Sequence, residues 1–150
     1  MKQTGIIHPQ LLELVAAAGH GDMIVVTDAG LKIPRHARRI DLGVTCGVPT
    51  VAQVVRALSS ELVVEAATLA SEFEDWNPEV CAEVRSLLEV VPDERPHADL
   101  MADMADQAYA YVKTGECTAY SSVVLHCGVN YLDDAVALYR SLHPDRPAPF

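Results

Sequence analysis

Gly19-His20-Gly21-Asp22 runs directly into Met23-Ile24-Val25-Val26-Thr27-Asp28-Ala29-Gly30, and the reading of this stretch decides the fold. Met23 to Thr27 is a short, mostly apolar and β-branched run, the pattern of a buried strand. Open α/β sheets carry their ligand groups at strand ends, which places Asp28 at the mouth of such a sheet. Histidine both gives and takes a proton near neutral pH, and the glycines on either side let the backbone turn and leave the His20 ring accessible. Plainer readings stand beside these. A histidine after a helix-ending glycine suits the negative end of that helix, and Asp22 and Asp28 both suit turns. A straight strand, rising ~3.3 Å per residue, would hold the side chains of His20 and Asp28 about 20–26 Å apart. One small ligand touches both only if the chain bends at Gly21-Asp22, or if His20 of one subunit meets Asp28 of a neighbour.

Working outward, His8-Pro9-Gln10 opens a helix with Leu11, Leu12, Leu14 and Val15 on one stripe, ended by Gly19. Downstream, residues 28–34 read as a loop and 40–44 as a second strand. Gly47-Val48-Pro49 breaks the chain, and Thr50 caps a helix over 51–58. Residues 61–70 mix strand and helix formers and read as strand at their start. Asn77-Pro78-Glu79 opens a helix to about residue 90, residues 91–96 form a polar loop, and a helix over 99–113 ends at Thr114-Gly115. Val123-Val124-Leu125-His126-Cys127 is a second buried strand, and an amphipathic helix follows over 132–142, before a loose tail at 144–150. Helices alternating with short strands indicate a single layered α/β domain over 1–150.

Composition narrows the function. Half of the 150 residues are hydrophobic, yet no apolar run approaches the ~20 residues of a membrane span. The N-terminus lacks the apolar region of a secretory signal, so the expectation is a soluble cytoplasmic protein with no membrane partner. A net charge of −10 and a pI near 4.8 argue against nucleic acid and favour a neutral polar small molecule. The four cysteines (Cys46, Cys81, Cys117, Cys127) show no metal-ligand spacing and read as reduced, mostly buried thiols. No phosphate loop, dinucleotide fingerprint, zinc-protease helix or serine-hydrolase elbow is present in the sequence. Among the other histidines, His126 reads as a hydrogen-bonded core residue, and His8, His36, His97 and His143 as surface. Tyr120-Ser121-Ser122, just ahead of the second buried strand, is either ordinary loop or a polar ligand contact.

Several motifs together resemble the D-ribose pyranase and fucose mutarotase family. They are Gly19-His20-Gly21-Asp22, Thr27 through Pro34, Arg39-Ile40-Asp41-Leu42 through Gly47-Val48-Pro49, Val64-Glu65-Ala66-Ala67, Asn77-Pro78-Glu79, and Thr114-Gly115-Glu116-Cys117-Thr118-Ala119-Tyr120. They stand in the same order over about residues 1–130 and lie closer to the ribose pyranase branch. The resemblance implies an α/β/α domain with a mixed, largely parallel sheet. It also implies cofactor-free interconversion of monosaccharide ring forms, either pyranose with furanose or one anomer with the other. A ring-like homo-oligomer is implied too, a decamer or pentamer ring with sites at subunit contacts. By position, His20 corresponds to the proton donor and Asp28 to a substrate-binding carboxylate, while Tyr120, Ser121 and Ser122 correspond to the segment that holds the sugar. His97 falls one residue out of register with a second substrate histidine. Two features depart from the pattern. Ser122 stands where the family has asparagine, giving one hydroxyl in place of an amide's separate donor and acceptor, and the helix over 132–142 lies beyond the family's usual end. A non-catalytic sugar-binding or transport-accessory protein on the same scaffold is the alternative.

Overall fold

The computed structural model describes residues 2–148. One sheet of six strands holds it together, in the order β2-β5-β1-β6-β3-β4. The strands are β1 (Met23–Thr27), β2 (Arg39–Asp41), β3 (Val64–Ala70), β4 (Asp93–Arg95), β5 (Ala110–Lys113) and β6 (Val123–Cys127). Only β6 runs against its neighbours β1 and β3; the other adjacent pairs are parallel. Parallel neighbours need long crossovers, and helices supply most of them. These are α1 (Pro9–Ala17), α2 (Val51–Ser59), the single turn α3 (Phe73–Trp76), α4 (Pro78–Leu87) and α5 (His97–Gln107), with α6 (Leu132–Leu142) following the last strand.

The apolar run of β1 does not alternate because both faces of the strand are covered. Ile24 and Val26 pack with Leu14 of α1, Val55 and Leu58 of α2, and Val84 of α4. Val25 turns the other way, towards Tyr111, Val124, and Leu100 and Met104 of α5. The result is the expected α/β/α layering. Local signals place the helices: the Thr50 hydroxyl accepts the Gln53 N–H at 3.1 Å while the Gln53 side chain accepts the Thr50 N–H at 3.0 Å, a reciprocal cap that starts α2.

Several sequence expectations are corrected. Strand structure in 61–70 occupies the end and not the start, because Glu61 and Leu62 still close α2 onto the Leu58 carbonyl. The helix expected over 99–113 stops at Gln107, and its last four residues, Ala110–Lys113, become β5, the strand between β2 and β1. The Tyr109 N–H donates to the Met23 carbonyl and begins that pairing; tertiary pairing overrides the helical pattern there. The polar loop over 91–96 contains β4, an edge strand paired through its backbone to β3. The second strand is Arg39–Asp41, earlier than 40–44, and α4 ends at Leu87.

Cys46 and Cys117 are not reduced but joined by a disulfide, while Cys81 and Cys127 are free and buried. The bridged residues lie 71 apart in sequence. Backbone hydrogen bonds from Gly47 to Gly115 and from Gly115 to Pro49 bring their loops together. Helix α6 forms as expected but buries no side chain, and Leu138 and Leu142 are exposed. No helix among the described residues is long and apolar enough to cross a membrane. Residues 149 and 150 of the expected tail lie outside the described residues.

Candidate functional site

The C-terminal ends of β1, β3, β4 and β5 and the start of β6 form one edge of the sheet, and Asp28 opens it. Its carboxylate is pinned by the Gly30 N–H, which donates to Oδ1 at 2.7 Å. The Ala29 N–H donates to the Glu116 carbonyl at 2.7 Å, tying the Asp28 turn to the segment 114–122 between β5 and β6. A cavity of about 370 Å³ lies between them, lined by Asp28, Gly30, Glu116, Thr118 and their neighbours.

Further along the same edge stands Tyr120, the one non-glycine residue with a positive φ (62°) among the described residues. Such backbone costs energy and persists where surrounding structure enforces it, often at functional sites. The Tyr120 ring meets Trp76 and His97 edge-on, with centroids 5.3 and 5.2 Å away. Ser121 and Ser122 are buried behind it, and the Asn77 amide donates to the Ser121 hydroxyl at 3.5 Å. His97, expected in a surface loop, is instead the half-buried first residue of α5. Its N–H donates to Glu72 Oε2 at 2.9 Å, and the Ser71 hydroxyl donates to the same oxygen at 3.2 Å. Burial pushes the Glu72 carboxyl up, but these hydrogen bonds outweigh it and hold the group below the usual carboxylate range. The edge therefore gathers Asp28, His97, Tyr120, Ser121 and Ser122. Three enclosed polar atoms on it, His97 Nδ1, Ser122 Oγ and Glu116 Oε2, have no hydrogen-bond partner among the described residues.

His20 stands at the opposite edge. It occupies a turn in which Gly21 takes φ +82°, and the turn is fastened to the end of β6 by Gly21 N–H to Cys127 O and Cys127 N–H to Asp22 O, each 2.8 Å. Asp22 closes the turn by accepting the Gly19 N–H at 2.8 Å. No bend at Gly21-Asp22 carries His20 towards Asp28. Its Nε2 lies 2.9 Å from Glu65 Oε2, and the His20 side chain is 54% exposed. Glu65 reaches it because β3 bulges between Val64 and Ala66, setting one extra residue against β6. Below them, burial, aided by the Asp22 and Glu65 carboxylates, pushes the Cys127 thiol up to about 11.

Sequence reasoning missed Glu65, Trp76 and Glu116. An acid inside an otherwise apolar strand was the available signal for Glu65, and Glu116 stands within the Thr114 to Tyr120 motif; Trp76 gave none without the fold. His126 matches its reading, half-buried with Nε2 3.4 Å from the Thr68 hydroxyl. Of the remaining histidines, His36 is exposed while His8 and His143 are half-buried.

Residues 1–130 match the RbsD / FucU transport protein family. A D-ribose pyranase of Variovorax paradoxus is 41% identical over 133 residues, covering 87% of this chain and 100% of that protein. One from Paracidovorax citrulli is 44% identical over 131 residues, with 87% and 100% covered. Among solved structures, Bacillus subtilis RbsD complexed with D-ribose matches with a TM-score of 0.80 at 32% identity, over 86% of this chain and 98% of that one. The fucose mutarotase of Streptococcus pneumoniae in complex with L-fucose shares the fold, with a TM-score of 0.69 at 22% identity over 82% and 94% of the two chains. Matched along nearly all of its length before α6, the chain belongs to the RbsD / FucU transport protein family.

Proposed function

We propose that this chain is an isomerase that interconverts ring forms of a free monosaccharide, a D-ribose- or fucose-like sugar, by general acid/base catalysis. Opening a cyclic hemiacetal moves a proton off the anomeric hydroxyl, forms the carbonyl, breaks the bond from the anomeric carbon to the ring oxygen, and protonates that oxygen. Closure on the other face gives the other anomer; closure by a different hydroxyl gives the other ring size. The reaction consumes nothing and needs only a positioned acid/base, which typically contributes ~10²–10⁴-fold. His20 gives and recovers the proton. Glu65, at 2.9 Å, fixes the ring by accepting from Nε2 and turns Nδ1 to the substrate. Asp28 accepts sugar hydroxyls, and His97, Tyr120, Ser121 and Ser122 hold the rest of the sugar.

The observation that carries this reading is the edge at Asp28, where unpaired, enclosed polar atoms sit beside an aromatic trio. A hydroxyl-rich ligand with apolar C–H faces suits such a surface. The separation of His20 from that edge supports a homo-oligomer in which His20 of one copy completes the site of another; the motif resemblance adds to this reading a pentameric or decameric ring in the cytoplasm. Exchange NMR on ribose, fucose and related sugars tests the proposal. Faster exchange between ring forms is expected; binding without faster exchange would make the protein a sugar-binding accessory instead.

A further inference from the structure

We propose that Trp76 is a sugar-binding residue, whose indole stacks on the C–H face of the sugar ring and sets affinity, not the rate of the proton step. This rests on the ring-interconverting reading and deepens it. Trp76 is the only tryptophan of the 150 residues. It is 60% exposed, although tryptophan is highly buried on average. Single exposed aliphatic residues such as Val44 and Val91 are ordinary surface. An open indole fixed beside Tyr120 and His97 is not. Its backbone is held on both sides. Phe73, in the same turn of α3, is wholly buried in the core and anchors that turn. The Trp76 N–H donates to the Glu72 carbonyl at 3.2 Å, and the Asn77 N–H to the Phe73 carbonyl at 2.8 Å. Asn77 then gives its side-chain amide to Ser121 at 3.5 Å, which ties the turn to Tyr120-Ser121-Ser122.

The ring is steadied as well. It meets Tyr120 edge-on at 5.3 Å, and Tyr120 meets His97 edge-on at 5.2 Å, so three rings from three segments stand in one row. Tyr120 holds its place through a backbone with φ 62°, and His97 through its N–H to Glu72. The Tyr120 contact orients the indole while most of its surface stays open to solvent. A sugar ring carries hydroxyls around its rim and bare C–H groups above or below. The hydroxyls go to polar partners. The C–H face calls for an apolar surface, and a preformed aromatic one covers it at little cost in conformational entropy. The stacked C–H groups take no part in the proton step. The contact therefore holds substrate and transition state alike and acts on KM, not on kcat.

A single tryptophan makes the test direct, since emission excited away from tyrosine comes from Trp76 alone. In wild type, the sugar that the protein turns over should change that emission saturably, with a midpoint equal to the KM of ring exchange. The same sugar should shield the indole from quenching by acrylamide. Trp76→Ala should raise KM roughly tenfold, the scale of one lost aromatic contact, and keep kcat within about twofold. Trp76→Phe, which retains a smaller ring, should fall between the two. A KM equal in all three proteins, a loss confined to kcat, or emission and quenching indifferent to saturating sugar overturns the inference and leaves the proposed function standing. An indole already shielded without sugar, and released on dilution, also overturns it, because the ring then serves a contact between copies. If Trp76→Ala proves unstable, wild-type emission and Trp76→Phe decide. Wild type that accelerates no sugar's ring exchange overturns the proposed function and this inference with it.

Discussion

At one end of β1, Asp28 is enclosed, its neighbours are tied to segment 114–122, and a disulfide staples that segment to the loop before α2. At the other end, the His20 ring is half in solvent and held by one carboxylate. The difference follows the chemistry each end would perform. Holding hydroxyls in place rewards rigid, buried acceptors whose positions are set before the ligand arrives. Moving a proton requires a ring that solvent and substrate can reach, with one fixed contact to orient it.

The largest effect should come from removing the exposed ring. His20→Ala is expected to lower the ring-exchange rate by ~10²–10⁴-fold with no change in thermal midpoint, since the ring buries little. Asp28→Ala should instead weaken sugar binding. Oligomers mixed from the two variants should regain part of the activity; mixtures as inert as their components would show that the two ends never serve one site. Next in size is the staple. Unfolded, unreduced protein should titrate two thiols, Cys81 and Cys127, and Cys46→Ser should cost about 2–4 kcal/mol in denaturant unfolding. Four titratable thiols would remove this contrast between the ends. Glu65→Gln should lower kcat/KM roughly tenfold, the scale of one charge-assisted hydrogen bond; full activity would mean a neighbouring copy orients the ring.

The gentlest contrast lies in pH. The Cys127 thiol, near the His20 end, is raised from 9.0 to about 11, so its contribution to stability is complete below pH 9 and fades as pH climbs towards 11. Glu72, near the Tyr120 end, is lowered from 4.5, so its contribution is present above pH 4.5 and fades as pH falls through the lowered value. Unfolding curves of Cys127→Ala and Glu72→Gln against pH should each lose one of these slopes.

Legibility in the sequence tracked how local the cause was. β1 and β6 are buried on both sides and bounded by turn residues, so composition alone reveals them. The Thr50 cap begins α2 and Pro78 in the first turn begins α4, both short-range signals, whereas Asn77 makes no cap and turns its amide to Ser121. β4 is Asp93-Glu94-Arg95 and pairs only through its backbone, so no side chain announces it. β5 follows α5 with no glycine or proline between them, and only its place beside β1 makes it a strand. The candidate site divides the same way. Residues at the Asp28 edge are readable as motifs, whereas the Glu65 contact depends on a strand irregularity.

The extra residue in β3 has one last consequence. Without it Ala66 would still oppose His126, now in an unbroken ladder, and Ala67 and Leu69 would keep the core places they fill. What would go is the carboxylate that meets the His20 ring. Folding leaves this position free in length as well as in identity, so its presence answers to the imidazole and not to the sheet.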